Sequence, residues 1–263
     1  MSIGRNALTA LRLQRVVLHL LAGFARVTLQ FPRISAIRRE AEVARWSARF
    51  VQLVGAQLTL RFADGAPANP DWWRGAMVVG NHISWLDIHL LHVHFPARFV
   101  AKDDIARWPV IGTLTNASRP IYVARDKRRD VARINCVVSE ALVAGECVAV
   151  FPEGTTSDGT GLLPFHANLF EAVLATNNPD ADRARAPLVW PFVLRYLNAD
   201  GNLTTAPSYV GAQSLFDSMW QTLRAAPFRA DVTFLAPLDP KNYADRRALA
   251  RAIEQQLRTS LLG

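Results

Sequence analysis

The chain has 263 residues, half of them hydrophobic and a fifth charged. That is enough for the core of one large α/β domain with an appendage, and too apolar for a disordered chain. A formal charge of +8 and an isoelectric point near 10.3 call for an anionic partner, either nucleic acid or an anionic membrane surface. Nucleic acid is disfavoured, because no stretch alternates basic and aromatic residues as nucleic-acid modules do. Cys136 and Cys147 fall in apolar stretches and are expected as buried, reduced thiols; they form neither a disulfide framework nor a metal-ligand spacing.

Residues 7–31 read as one long apolar helix. Arg5, Arg12, Arg15, His19 and Arg26 project into a single arc of it at about 100° per residue. A basic stripe against an apolar remainder is the pattern of a helix lying in the membrane interface. A spanning helix needs about 20 uninterrupted apolar residues, and His19 and Arg26 interrupt the run. A soluble helical cap is the third reading. Phe24 to Thr28 makes a poor signal-peptide cleavage site. After Pro32 a second helix over 36–55 puts Arg38, Glu42, Arg45, Arg49 and Gln52 on one face, with Val43, Trp46, Phe50, Leu53 and Val54 away from it. Residues 1–55 are thus expected as a membrane-associating amphipathic two-helix hairpin, and 56–263 as one domain.

From residue 57 onward short β-like runs alternate with helical ones, which predicts an α/β fold with a mostly parallel sheet flanked by helices. The expected strands are 57–62, 76–79, 97–100, 121–123, 148–151, 188–194 and 232–234. The expected helices are 85–94, 110–117, 131–144, 166–176, 215–224 and 244–262.

Three features carry chemistry. In Asn81-His82-Ile83-Ser84-Trp85-Leu86-Asp87 a strand runs into a helix start. Residues five apart on a regular helix diverge by about 140°, so His82 and Asp87 can meet only if His82 precedes the helix and Asp87 lies in its first turn. Ser84 as N-cap suits that geometry. A neutral imidazole held by a carboxylate is fitted to general-base work near pH 7. The spacing alone is common, as His166-x4-Glu171 shows, and Ser84-x-x-Asp87 is also a capping-box pattern that would make Asp87 structural. The second feature is Phe151-Pro152-Glu153-Gly154-Thr155-Thr156 after an apolar strand, where open α/β sheets bind ligands; a plain tight turn is the alternative. The third is the strand Ile121-Tyr122-Val123 leading to Arg125, suited to a phosphate or carboxylate or to a surface ion pair.

Taken in chain order, His82 to Asp87, then Arg125, then Phe151 to Thr155, then Pro191 in Leu188-Val189-Trp190-Pro191-Phe192-Val193, these features resemble the glycerolipid acyltransferase family typified by bacterial 1-acylglycerol-3-phosphate acyltransferase, over about residues 55–236. The resemblance implies a general base His82 oriented by Asp87, which takes the proton of a lysolipid hydroxyl as that oxygen attacks the thioester of acyl-CoA or an acyl carrier protein. Arg125 with Glu153, Gly154 and Thr155 would position the head group. It implies no metal and no cofactor beyond the acyl donor, and a place on the cytosolic face of a bacterial cytoplasmic membrane, monotopic or single-pass through residues 7–31. Thr156 stands where many relatives carry arginine, a loss Arg119 could offset, and Arg119 itself stands where a glycine is usual. The run 153–159 with Leu162 to Phe165 resembles lyso-ornithine lipid acyltransferases, so a head group without phosphate is the alternative acceptor.

Other classes fit less well. A lipid or thioester hydrolase using Ser84 or Ser157 lacks the Gly-x-Ser-x-Gly elbow. A metal site from His82, His89, His92 and His94 lacks a completing carboxylate or cysteine.

Overall fold

The computed structural model describes residues 2–64, 67, 69–123, 128–176 and 187–262. The strands are β1 (Ala56–Phe62), β2 (Met77–Gly80), β3 (Ala97–Lys102), β4 (Ile121–Val123), β5 (Cys147–Val150), β6 (Val189–Leu197) and β7 (Phe228–Phe234). They form one sheet in the order β1-β7-β6-β2-β5-β3-β4. Neighbours are parallel except β6 and β7. The α/β architecture is the expected one.

The central strands are apolar at every position because both faces of the sheet are covered. Val78 and Ala149 enter one core with Val16, Phe50 and Leu90. Their neighbours Met77, Val79, Val148 and Val150 enter the other with Ile134, Val138, Phe170 and Leu257. This is the two-residue period of a strand, read out as two cores. On the first face lie α1 (Ser2–Leu29), α2 (Ala36–Leu53), α3 (Asp87–His92), α4 (Ile111–Asn116) and α7 (Leu215–Ala225); on the second lie α5 (Arg128–Val143), α6 (Phe170–Ala175) and α8 (Arg246–Leu262). The helix expected over 166–176 is broken into a 3-10 turn at Ala167–Leu169 and the short α6.

The N-terminal hairpin is present, with a 3-10 turn at Phe31–Arg33 between its helices. Phe50 and Val51 of α2, and Val54 just after it, are buried in the same core as the sheet. Three members of the basic stripe of α1, Arg12, His19 and Arg26, are engaged by the protein, while Arg15 is exposed. Arg12 donates to the carbonyls of Leu223 and Ala226 at the end of α7, at 2.9 and 3.0 Å. His19 stacks on Trp46, and Arg26 pairs with Glu42 at 3.1 Å. A cation at the carbonyl end of a helix is favourably placed, which explains why Arg12 turns inward. The outward face is left to Leu8, Leu11, Val17, Leu18, Leu21 and Leu29, all exposed. α1 is long and apolar enough to cross a membrane by length and composition.

One expectation about the thiols is corrected: Cys147 is buried in β5, but Cys136 is exposed on α5.

Candidate active site

β2 and β5 are parallel in register, Val79 beside Val150, so the segments that follow them emerge on the same rim of the sheet. β2 delivers Asn81 and His82; β5 delivers Phe151 to Thr156. Gly80 is required here, since a Cβ would lie 2.3 Å from the Phe192 ring of β6. Asn81 then locks β2 to β6: its side chain donates to the Leu194 carbonyl at 2.9 Å and accepts from the Leu194 amide at 2.8 Å.

His82 leaves the sheet before any helix begins, and Asp87 is the first residue of α3. The two meet: Nδ1 of His82 donates to Oδ2 of Asp87 at 2.7 Å. The same oxygen accepts from the backbone amides of Ile83 at 2.7 Å and Ser84 at 2.9 Å. Oδ1 accepts from the Tyr196 hydroxyl of β6 at 2.7 Å. Asp87 is 2 % exposed. Four donors thus converge on this buried carboxylate, as a buried acceptor requires. Because Nδ1 carries the proton toward Asp87, Nε2 is the unprotonated acceptor of the neutral ring. The ring plane is fixed by Phe151, stacked on it at 4.0 Å between centroids.

Ser84 is not the N-cap. Its Oγ accepts from Leu86 N at 3.3 Å within the turn before α3, and only the reciprocal half of a capping box is made, from Ser84 N to Asp87. Asp87 therefore serves the turn and the imidazole at once.

Glu153 is buried and turned inward. Oε1 accepts from the His82 amide at 2.8 Å and Oε2 from the Leu163 amide at 2.9 Å. Burial pushes its carboxyl above the usual range, against the opposing pull of those amides. It ties the loop after β5 to the loop after β2, a tie doubled by Ser157, whose amide donates to the His82 carbonyl at 2.8 Å. Gly154 turns the chain at φ +69, a conformation open to glycine, and Gly154 and Thr155 are exposed on the rim. Thr156 is held by donating its hydroxyl to the Tyr209 carbonyl. Arg125 lies outside the described residues.

Arg119 does not sit at this rim. It pairs with Glu146 at 2.7 Å, immediately before β5 and hence at the opposite, amino end of the strands. Its backbone is left-handed, φ +54, where a glycine would carry no strain. The cation that sequence reasoning missed is Lys102. It ends β3 opposite Val123 of β4, on the same rim as His82. The expected strand ends at Val100, and Lys102 lies in the two further residues by which β3 exceeds it.

His89 and His92 are drawn into the interior, away from a shared ligand set. His89 packs on Trp46 and Phe50 and His92 on Phe99, with Nε2 of His92 bonded to the Ala97 carbonyl at 3.0 Å. Both line an apolar cavity between the hairpin and the sheet, with Leu20, Gly23, Ile88 and Leu114. Neither Ser84 nor Ser157 offers its hydroxyl to the His82 ring; Ser157 Oγ bonds the His82 carbonyl instead, at 3.2 Å.

The family described as Acyltransferase matches residues 66–195, from before β2 to near the end of β6. A 1-acyl-sn-glycerol-3-phosphate acyltransferase of Neisseria gonorrhoeae is 36 % identical over 203 residues, covering 77 % of this chain and 75 % of the relative. A lyso-ornithine lipid O-acyltransferase of Brucella abortus is 32 % identical over 190 residues, 70 % of each chain. The crystal structure of the 1-acyl-sn-glycerophosphate acyltransferase PlsC from Thermotoga maritima superposes with a TM-score of 0.69 at 19 % identity, over 98 % of this chain and 95 % of that one. The shared fold, the matched span across the His82–Asp87 rim and these identities agree: the chain belongs to the Acyltransferase family, and it is an acyltransferase of the lysophospholipid type.

Proposed function

We propose that the protein moves a fatty acyl group from acyl-CoA or acyl carrier protein to the free hydroxyl of 1-acylglycerol-3-phosphate, giving phosphatidic acid. His82 acts as general base and Asp87 orients it. Nε2 takes the hydroxyl proton as that oxygen bonds to the thioester carbonyl carbon. The tetrahedral intermediate then breaks its C–S bond, and the imidazolium returns the proton to the departing thiolate. The acceptor is itself the nucleophile, so no serine or cysteine of the chain attacks. The observation that carries this reading is the 2.7 Å bond from Nδ1 to a buried carboxylate, which leaves Nε2 as the base.

The apolar cavity supports an acyl-chain site: its wall residue Phe99 stacks against Phe151, the ring that covers His82. Lys102 supplies positive charge for the acceptor head group on the same rim, and Arg125 keeps the head-group role that the family resemblance implies for it. Glu153, Gly154 and Thr155 shape the loop the head group would meet. No metal and no further cofactor enters this scheme. Residues 1–55 serve as the membrane-associating unit and 56–263 as the catalytic one. With Arg12, His19 and Arg26 engaged by the protein, the outward leucines of α1 lie against lipid and the enzyme is monotopic on the cytosolic face. A lyso-ornithine lipid is the second acceptor to weigh, because Thr156 is spent on the Tyr209 carbonyl and provides no cation for a phosphate.

The test is acyl transfer in liposomes by wild type and His82→Ala, with lysophosphatidic acid and lyso-ornithine lipid offered in turn. Loss of about 10²-fold or more with liposome binding retained is expected. Activity surviving in His82→Ala removes His82 from the mechanism.

A further inference from the structure

The Asp87 carboxylate is loaded unevenly. Oδ2 takes His82 Nδ1 and two backbone amides, while Oδ1 takes the Tyr196 hydroxyl at 2.7 Å. Backbone amides are fixed by the turn, so among the described residues Tyr196 is the one side chain besides His82 that bonds the carboxylate and can alter how much of its charge the imidazole feels. Tyr196 is 1 % exposed. It reaches Asp87 from β6, which is locked to the His82 strand by the Asn81–Leu194 pair of bonds, so its hydroxyl is held against the carboxylate by the sheet. Burial and the facing Asp87 charge both push the phenol well above its ordinary range, so it remains a donor at any working pH.

We propose that Tyr196 is a positioning residue for acyl transfer, setting the strength of the His82–Asp87 bond by drawing charge onto Oδ1. The inference rests on the reading of His82 as base. The base must be neutral to accept the hydroxyl proton and must then give that proton up to the leaving thiolate. A carboxylate with no donor on its far oxygen would hold the imidazolium more tightly through the second step. A hydrogen bond on the far oxygen takes up part of that charge. Ser84 also bonds the phenol, and the other ionisable group turned on the pair is Glu153, bonded to the His82 amide. Neither of them touches Oδ1.

Two changes at Tyr196 work in opposite directions. Tyr196→Phe deletes the donor; 3-fluorotyrosine placed at 196 alone keeps the bond and strengthens the donor, because fluorine makes the phenol more acidic. The measurement is kcat/KM for the acceptor lipid against pH, with the thermal midpoint of each protein. Tyr196→Phe should move the acid limb to higher pH by about half a unit and lower kcat about tenfold, with KM for the acceptor within about twofold. The fluorotyrosine protein should move the limb to lower pH with an unchanged thermal midpoint. A merely structural tyrosine would leave the limb in place, or move it the same way in both. Either result overturns the proposal, and if Tyr196→Phe does not fold, the fluorotyrosine protein decides alone. His82→Ala is assayed beside them. If it retains transfer, the base reading fails; if it is inactive while the limb stays unmoved in both Tyr196 proteins, only the role of Tyr196 fails.

Discussion

Acid should destabilise this fold through two histidines that take no part in the proposed chemistry. Burial lowers His89 to about 3 and His92 to about 4, whereas both would titrate near 6.5 in the unfolded chain. The unfolded state therefore binds more protons, so stability is complete above about pH 6.5 and is lost as pH falls from there toward the folded values. At pH 5 an unfolded histidine is almost fully protonated and these two are almost fully neutral when folded. The linkage integral then gives about 2 kcal/mol for His92. His89 reaches the cavity it lines and is less completely enclosed, so about 1 to 2 kcal/mol is appropriate there. A total loss of about 3 kcal/mol between pH 7.5 and pH 5 is a large part of the 5–15 kcal/mol typical of a folded protein. His94, also lowered by burial, adds in the same direction; the raised Glu153 carboxyl opposes it. The assay is urea unfolding in mild detergent at both pH values, on wild type and on His89→Gln/His92→Gln. The double variant should lose most of the pH dependence whatever its absolute stability. A wild-type stability that is flat over this window, or a slope that survives in the double variant, would refute the reasoning.

Two further outcomes are expected. Leu18 and Leu21 on the outward face of α1 are 58 % and 50 % exposed, so replacing both by Asp should leave the thermal midpoint within a few degrees while lowering liposome partition at least about tenfold, given about 1.5–3 kcal/mol per large apolar side chain moved out of lipid. Unchanged co-sedimentation with vesicles would mean that another surface meets the membrane. Lys102→Gln should raise KM for a phosphate-bearing acceptor about tenfold with kcat within about threefold, the pattern of a group that binds ground state and transition state alike; equal kinetics in wild type and variant would take Lys102 out of head-group binding.

What could be read from the sequence divides by how far apart the partners lie along the chain. His82 and Asp87 are five residues apart, so the condition for their meeting, a helix that starts between them, could be tested by local rules alone. β2 and β5 were equally legible, because strands covered on both faces are apolar at every position. β7 was legible only in its second half, the expected 232–234: Arg229 and Asp231 in its first half pair with each other at 2.8 Å, and charges read in isolation argue against a strand. The stripe of α1 shows the limit most plainly. Periodicity established that Arg12, His19 and Arg26 share an arc, but the direction of that arc is set by the carbonyls of Leu223 and Ala226, 211 and 214 residues away. Tyr196 is hidden for the same reason, being 109 residues from the carboxylate it meets. The group proposed to act on substrate thus sits in a local turn with a legible pattern, while the groups that orient the hairpin and load the far oxygen of Asp87 arrive through the sheet. A substitution at such a distant partner can change the His82–Asp87 pair without touching a residue of the motif that contains it.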